Sequence, residues 1–158
     1  MPTPSASPTE SESPSPTPPT LPAEAEGTSP AAAKAFVRHY FDQINYAALT
    51  GDTSTLRELS ADDCESCDAI ASNVERIYNG GGHMETDGWR LTVVSAVPSR
   101  PSLRPAFDLG VRQSPEVVHK SDGAAPPKKY PGGRLAMTMY LDWSGSTWRV
   151  ERLDEVAS

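Results

Sequence analysis

The two cysteines of the chain, Cys64 and Cys67, are the residues whose type and spacing most directly suggest chemistry. Positions i and i+3 face the same side of a helical turn, at a Cα distance that suits a disulfide. A redox-active pair needs a lowered thiol pKa, which nearby negative charge opposes. Asp63, Glu65 and Asp68 supply that charge. We therefore predict a structural disulfide, and a redox pair or a metal site are the alternatives.

A second set of polar residues precedes the cysteines. His39 and Asp42 have the types and the i, i+3 spacing of an acid–base pair. Both fall outside the apolar stripe of their segment, so we expect them to be exposed to solvent and predict no catalytic residue. Asn45 and Tyr46, with Trp89 further along the chain, are instead predicted to line or anchor a ligand cavity.

Metal ligation has one weak signal, because His83 lies sixteen residues after Cys67. A zinc finger needs a second histidine a few residues later, and the next histidine is His119. We predict no metal site and no cofactor, and we expect His119 to face solvent.

Three helices are predicted to position these residues. The first covers 31–49 after Ser29-Pro30, a preferred N-cap followed by a proline at the first helical position. The second covers 53–59. The third covers about 62–79 and ends at the glycines that begin with Gly80. Apolar residues recur at three- and four-residue spacing in the first and third segments.

After the glycines the apolar spacing changes to every second residue. Strands are predicted over 89–97, 106–120, 134–143 and 147–156. Pro115 interrupts the second of these, which predicts an edge position or a bulge there. The pattern indicates an α+β fold, in which three N-terminal helices pack on a strongly curved, mostly antiparallel sheet of about four strands.

The first thirty residues have a different composition from the rest. They hold nine Pro, six Ser and five Thr, and no Lys, Arg or aromatic residue. Such a segment has little to bury, so residues 1–28 are predicted to be a disordered linker and residues 29–158 a single domain. Met1 leads directly into Pro and Ser, without the apolar stretch of a signal peptide. A Pro/Ser/Thr tether before a domain with paired cysteines is typical of a mature exported protein, so we expect an export signal upstream of Met1.

Charge narrows the set of partners. The formal net charge is −7, and Lys128-Lys129 is the only basic doublet, which we interpret as a solvated loop. The chain lacks the clustered basic residues expected of a nucleic-acid-binding protein, so nucleic acid is not predicted as a partner. It also lacks an apolar run of 18 residues.

Several motifs in combination resemble the nuclear-transport-factor-two-like superfamily, which includes the SnoaL-like polyketide cyclases. They are FVRHY at 36–40, NYA at 45–47 and TGDT at 50–53. The resemblance implies a cystatin-like cone over residues 30–156, with a cavity between the helices and the bent sheet. It also implies a homodimer formed through the sheet.

A narrower resemblance adds CxxC at 64–67 and YPGG at 130–133 to the motifs at 45–47 and 50–52. These motifs are similar to those of a family of actinobacterial cell-surface lipoproteins of unknown function. In that family a Pro/Ser/Thr linker follows a lipidated cysteine. Here no cysteine precedes Cys64, so the sequence as it stands has no lipidation site.

Taken together, these features predict an exported, membrane-tethered envelope domain, held by a lipid anchor only in its native full-length form. We expect it to bind a small molecule or an envelope protein without catalysis. The alternative is a SnoaL-like enzyme that performs acid–base chemistry on an apolar ligand in the cone cavity. That alternative requires two or more of His39, Asp42 and Tyr46 to point into the cavity together.

Overall fold

A computed structural model describes residues 16–121 and 125–156 of the chain. Its fold is α+β. The α-helices are α1 (Pro30–Thr50), α2 (Ser54–Glu58) and α3 (Glu65–Asn79), and a short 3₁₀ turn lies at Ala23–Ala25. In the part of the chain described, no helix is both long and apolar enough to cross a membrane.

Local chemistry sets both ends of α1. The Oγ of Ser29 accepts a hydrogen bond from the Ala32 N–H (3.0 Å), and Pro30 occupies the first turn. Gly51 ends the helix with a left-handed φ of 80°. A Cβ at Gly51 would lie 2.5 Å from the Tyr78 ring, so both the backbone angle and the close approach of α3 require glycine.

Seven β-strands form two antiparallel sheets. The strands are β1 (His83–Thr86), β2 (Trp89–Ala96), β3 (Ala106–Gln113), β4 (Glu116–His119), β5 (Lys128–Tyr130), β6 (Gly133–Trp143) and β7 (Trp148–Glu155). The larger sheet has the order β2-β3-β6-β7 and the smaller sheet the order β1-β4-β5. Register shifts in the β2–β3 and β6–β7 pairs mark bulges, which bend the larger sheet.

The core lies between the helices and the inner face of the larger sheet. Alternate residues of β3, such as Phe107 and Leu109, are buried, whereas Asp108 between them is exposed. Phe36 and Tyr40 of α1 are fully buried in the same apolar cluster. Burial of this kind is the main force that holds helix and sheet together.

The prediction of a single sheet is wrong, because a second sheet of three strands accompanies the four-stranded one. The three strands of the smaller sheet have only three or four residues each, too few for an alternating pattern to appear in the sequence. The predicted strand 106–120 is two strands, because the chain leaves β3 at Ser114-Pro115 and enters the other sheet as β4.

The segment just before α1 contacts the domain, although the predicted linker extends to residue 28. The Gln43 side chain donates a hydrogen bond to the Pro19 carbonyl (2.8 Å), and the Trp148 indole N–H donates one to the Gly27 carbonyl (3.0 Å). Ala25 is buried in the core cluster. The physical reason is that buried donors on α1 and β7 need acceptors, which this segment's backbone supplies. The first part of the predicted linker, residues 1–15, lies outside the described residues.

Candidate ligand-binding groove

A groove runs between α3 and the inner face of the smaller sheet. It consists of two adjoining cavities, of about 240 and 570 Å³, which share Asn73 and Glu116. Strand pairing decides which side chains face it. Met84 and Val118 are directly opposite each other and buried, so strand alternation places the side chains of His83 and His119 on the other face of the sheet. His119 nevertheless also borders the larger cavity.

The smaller cavity is the apolar end of the groove. α1 and α3 form one wall, and β1 with the start of β2 forms the other. Its apolar lining residues are Ile44, Ala48, Ala69, Ile70, Val74, Met84 and Trp89. Such a lining favours the apolar part of a ligand.

The larger cavity is the basic end of the groove. Arg76, Lys120 and Lys128 line it, and among the residues described none of the three has an ion-pair partner. Lys128 lies with its Nζ 5.3 Å from the centre of the Tyr130 ring, a cation–π distance. Lys128 is exposed, as expected of a solvated residue, but it belongs to strand β5 and not to a loop, and it lies at the groove rim.

One acidic residue, Glu116, lies where the two cavities meet. Its Oε1 accepts a hydrogen bond from the Trp89 indole N–H (3.3 Å). The Trp89 ring also packs near Phe41, with ring centres 6.4 Å apart. Trp89 is thus held on two sides.

Asn45 fixes the backbone at the start of β2. Its side-chain N–H donates to the Trp89 carbonyl (2.9 Å), and its Oδ1 accepts from the Trp89 N–H (2.8 Å). The preceding Gly88 has a φ of 91°, and a Cβ there would lie 2.7 Å from Asn45 Oδ1. The amide group of Asn45 is therefore occupied by the protein's own backbone, and it positions Trp89 in the groove wall.

The structure brings together two of the three predicted ligand-binding residues. Asn45 and Trp89 both line the apolar end. Tyr46 does not line either cavity, because the adjacent residue on a helix points about 100° away. Its assignment to ligand binding remains a prediction without geometric support.

The predicted acid–base pair, His39 and Asp42, does not lie at the groove. His39 is buried at 4% exposure, contrary to expectation, and Asp42 is exposed. Burial lowers the pKa of His39, and partial burial raises the pKa of Asp42. Neither residue lines either cavity. His39 lies one turn before Gln43, on the side of α1 that the segment around Pro19 covers.

The disulfide between Cys64 and Cys67 is confirmed. Cys64 is the N-cap of α3, and its Sγ accepts a hydrogen bond from the Cys67 N–H (3.3 Å). The helix therefore begins at Glu65 and not at the predicted residue 62. Both cysteines are at most 2% exposed. Because the bridge lies in the core and not in the groove, it acts as a clip at the start of α3.

Several groove residues were missed by sequence reasoning. Ile70, Asn73 and Ile77 are spaced three and four residues apart on α3, and this spacing places them on one side of the helix. Asn73 in an otherwise apolar stripe was the available signal. Glu116 had no comparable signal, since it depends on the chain changing sheets at Pro115.

Two solved structures with TM-scores of at least 0.50 place the chain in a fold class. The intermembrane-space region of the chloroplast protein ARC6 superposes with a TM-score of 0.57 at 12% identity, over 80% of this chain and 95% of that one. An uncharacterised protein with a cystatin-like fold from Caulobacter vibrioides superposes with a TM-score of 0.50 at 15% identity, over 83% of this chain and 92% of that one. A putative polyketide cyclase from Pseudomonas putida superposes with a TM-score of 0.44 at 14% identity, over 84% of this chain and 93% of that one.

The protein has a cystatin-like fold, as the sequence resemblance implied. At these identities the likeness concerns the fold alone. The chain belongs to a family described as a family of unknown function (DUF6318), whose sequence model matches residues 6–154. A comparison with curated proteins gives no match.

Proposed function

We propose that this protein is an extracytoplasmic, non-catalytic binding domain, and that its groove holds a small amphipathic anion. The observation that carries the proposal is the combination of an apolar end with Arg76, Lys120 and Lys128 at the adjoining end. Three basic groups face one acidic group, Glu116, so the local charge favours an anion.

The chemistry of the lining defines the ligand class. A carboxylate, sulfate or phosphate group accepts charge-assisted hydrogen bonds from guanidinium and ammonium groups. An apolar tail attached to it would lie against Ile70, Val74 and Trp89. The larger cavity, of about 570 Å³, has the size of a small-molecule site, which is typically about 300–1,000 Å³, and the smaller cavity extends it.

The titratable groups with shifted pKa values lie away from the groove. Active sites concentrate titratable groups with perturbed pKa values. Among the described residues, the side chains with shifted pKa values are His39, Tyr40, Asp42, Asp52, Arg57, Glu75 and Arg152. None of them lines the groove. His39 and Asp42, which the acid–base enzyme would use, therefore lie outside the groove.

Two features support a place outside the cytoplasm. Disulfides persist in oxidising compartments, and this chain has its only two cysteines bridged. The Pro/Ser/Thr-rich leader suits a spacer between a membrane surface and a domain. We propose a lipid anchor upstream of Met1, as in the lipoproteins that the motifs resemble. Alkylation of free thiols in intact host cells tests the compartment. We expect Cys64 and Cys67 to be bridged and therefore unmodified, and alkylated cysteines would contradict a place outside the cytoplasm.

The groove is tested by fluorescence titration with anilinonaphthalene sulfonate, an apolar anion. We expect saturable 1:1 binding that decyl sulfate displaces and decyltrimethylammonium does not. Each exposed ion pair contributes up to about 1 kcal/mol, so Arg76→Gln is expected to weaken binding about fivefold. Arg38→Gln is the matched control, because Arg38 is an exposed arginine on α1 outside the groove.

Two outcomes would overturn the proposal. Equal affinity for the anionic and cationic amphiphiles would show that the basic end does not select charge. Absence of saturable binding to the wild type would exclude a small amphipathic anion as the ligand and would leave an envelope protein as the partner to seek.

A further inference from the structure

We propose that His83, Glu85 and His119 form a binding site for a divalent transition metal ion such as Zn²⁺, on the face of the smaller sheet that points away from the helices. His119 also borders the larger cavity of the groove, but His83 and Glu85 line neither cavity, and the proposal does not rest on ligand binding in the groove. The prediction from sequence was that the chain has no metal site, because the spacing of these residues matches no zinc motif.

Strand pairing, not sequence spacing, brings the three residues together. His83 of β1 lies directly opposite His119 of β4 in the antiparallel register. Glu85 is two residues after His83 on the same strand, so its side chain leaves the sheet on the same face. Directly opposed residues in antiparallel strands have Cβ atoms about 5 Å apart, close enough to share one ion.

The side-chain geometry fits a shared ion. The two imidazole rings stack with centres 4.5 Å apart and planes 8° apart. The Nε2 of His119 is 3.1 Å from Glu85 Oε2. One ligand atom from each of the three residues lies within 4.8 Å of the others.

A polar atom without a hydrogen bond points to the same place. The Nε2 of His119 is shielded from solvent and has no hydrogen-bond partner in the part of the chain described, although Glu85 is within ion-pair distance. The alignment of these two atoms is therefore not that of a hydrogen bond. An ion between them would satisfy both, since Nε2 and a carboxylate oxygen are both metal ligands.

The donor set selects the kind of metal. Two imidazoles and a carboxylate suit zinc and related transition ions, whereas Ca²⁺ and Mg²⁺ prefer all-oxygen ligands. Zinc ligands at about 2.0–2.1 Å lie roughly 3.3 Å from one another in a tetrahedron. The ligand atoms of the three residues lie up to 4.8 Å apart, and His83 and Glu85, which are exposed, can rotate to bring them closer. Cys64 and Cys67 cannot compete, because they are bridged.

The test is calorimetric titration of the full-length protein, disulfide intact, with ZnCl₂. We expect one site per chain, and at least a tenfold loss of affinity in His83→Gln and in His119→Gln, since loss even of an outer partner of a metal ligand costs roughly 10–100-fold. Glu58→Gln, which removes an exposed carboxylate on α2, is the control and should bind as the wild type does.

A second readout covers the case in which a variant does not fold. The chain has three histidines, and the third, His39, is buried in α1 away from this sheet. Zinc added to the wild type should shift two of the three imidazole proton signals in NMR spectra and leave the third unchanged. Absence of saturable zinc binding, or binding that survives both histidine substitutions, would overturn the proposal.

Discussion

Removal of the segment before α1 tests whether the domain begins at residue 29 or earlier. We compare three chains: full length, one that starts at residue 16 and one that starts at residue 28. The chain from residue 16 keeps every contact that the structure describes for this segment. The chain from residue 28 loses Pro19, Ala25 and Gly27, and with them the acceptors of Gln43 and Trp148.

The magnitude follows from the lost contacts. Each hydrogen bond contributes about 1 kcal/mol net. Burial of the Ala25 methyl group and of the apolar surface beneath it adds about 1 kcal/mol or more. We expect a total of roughly 2–4 kcal/mol, and for a domain of this size a fall in Tm of roughly 10 °C.

Thermal and urea unfolding, followed by circular dichroism and tryptophan fluorescence, measure the difference. The full-length chain and the chain from residue 16 should unfold together, and the chain from residue 28 should unfold earlier. If all three chains unfold at the same temperature and urea concentration, the contacts of this segment contribute nothing and the domain begins at α1.

Three further predictions concern single sites. Asn45→Ala removes both hydrogen bonds to the Trp89 backbone, so it should lower the free energy of unfolding by about 2–3 kcal/mol in urea titrations; an unchanged value would refute the positioning role. The Cys64→Ser/Cys67→Ser double variant should stay folded but lose about 2 kcal/mol, and a loss of zero in the same assay would contradict the structural role. Because burial lowers the pKa of His39, the unfolded state takes up the proton first as pH falls. The stability linked to His39 is therefore full above pH 6.5, the ordinary pKa of histidine, and declines as the pH falls below it. His39→Gln should remove this pH-dependent part of the free energy of unfolding. Identical pH profiles for the wild type and the variant would refute the prediction.

Long, strongly periodic segments could be predicted from the sequence. The helix from Pro30 carries its own N-cap, its own apolar stripe and a glycine stop, so its ends follow from local chemistry. The strands of the larger sheet show the alternation of a half-buried surface. The disulfide could be predicted for the same reason, because its partners are neighbours on one helical turn.

The smaller sheet could not be predicted, and both candidate sites depend on it. Its strands are too short to show a period, and β5 is exposed along its whole length. The pairing of His83 with His119, thirty-six residues apart, follows from the register of β1 and β4 and from no local pattern. His39 falls outside the apolar stripe of the helical pattern, and no local feature of the sequence predicts that it is buried.

NMR spectroscopy of an isotopically labelled protein shows directly where a ligand binds. In ¹H–¹⁵N spectra titrated with decyl sulfate, we expect the largest shifts on the Trp89 indole, on Ile70 to Ile77 of α3 and on β4. Shifts concentrated on the outer face of the larger sheet, or no saturable shifts at all, would contradict a binding groove between α3 and the smaller sheet.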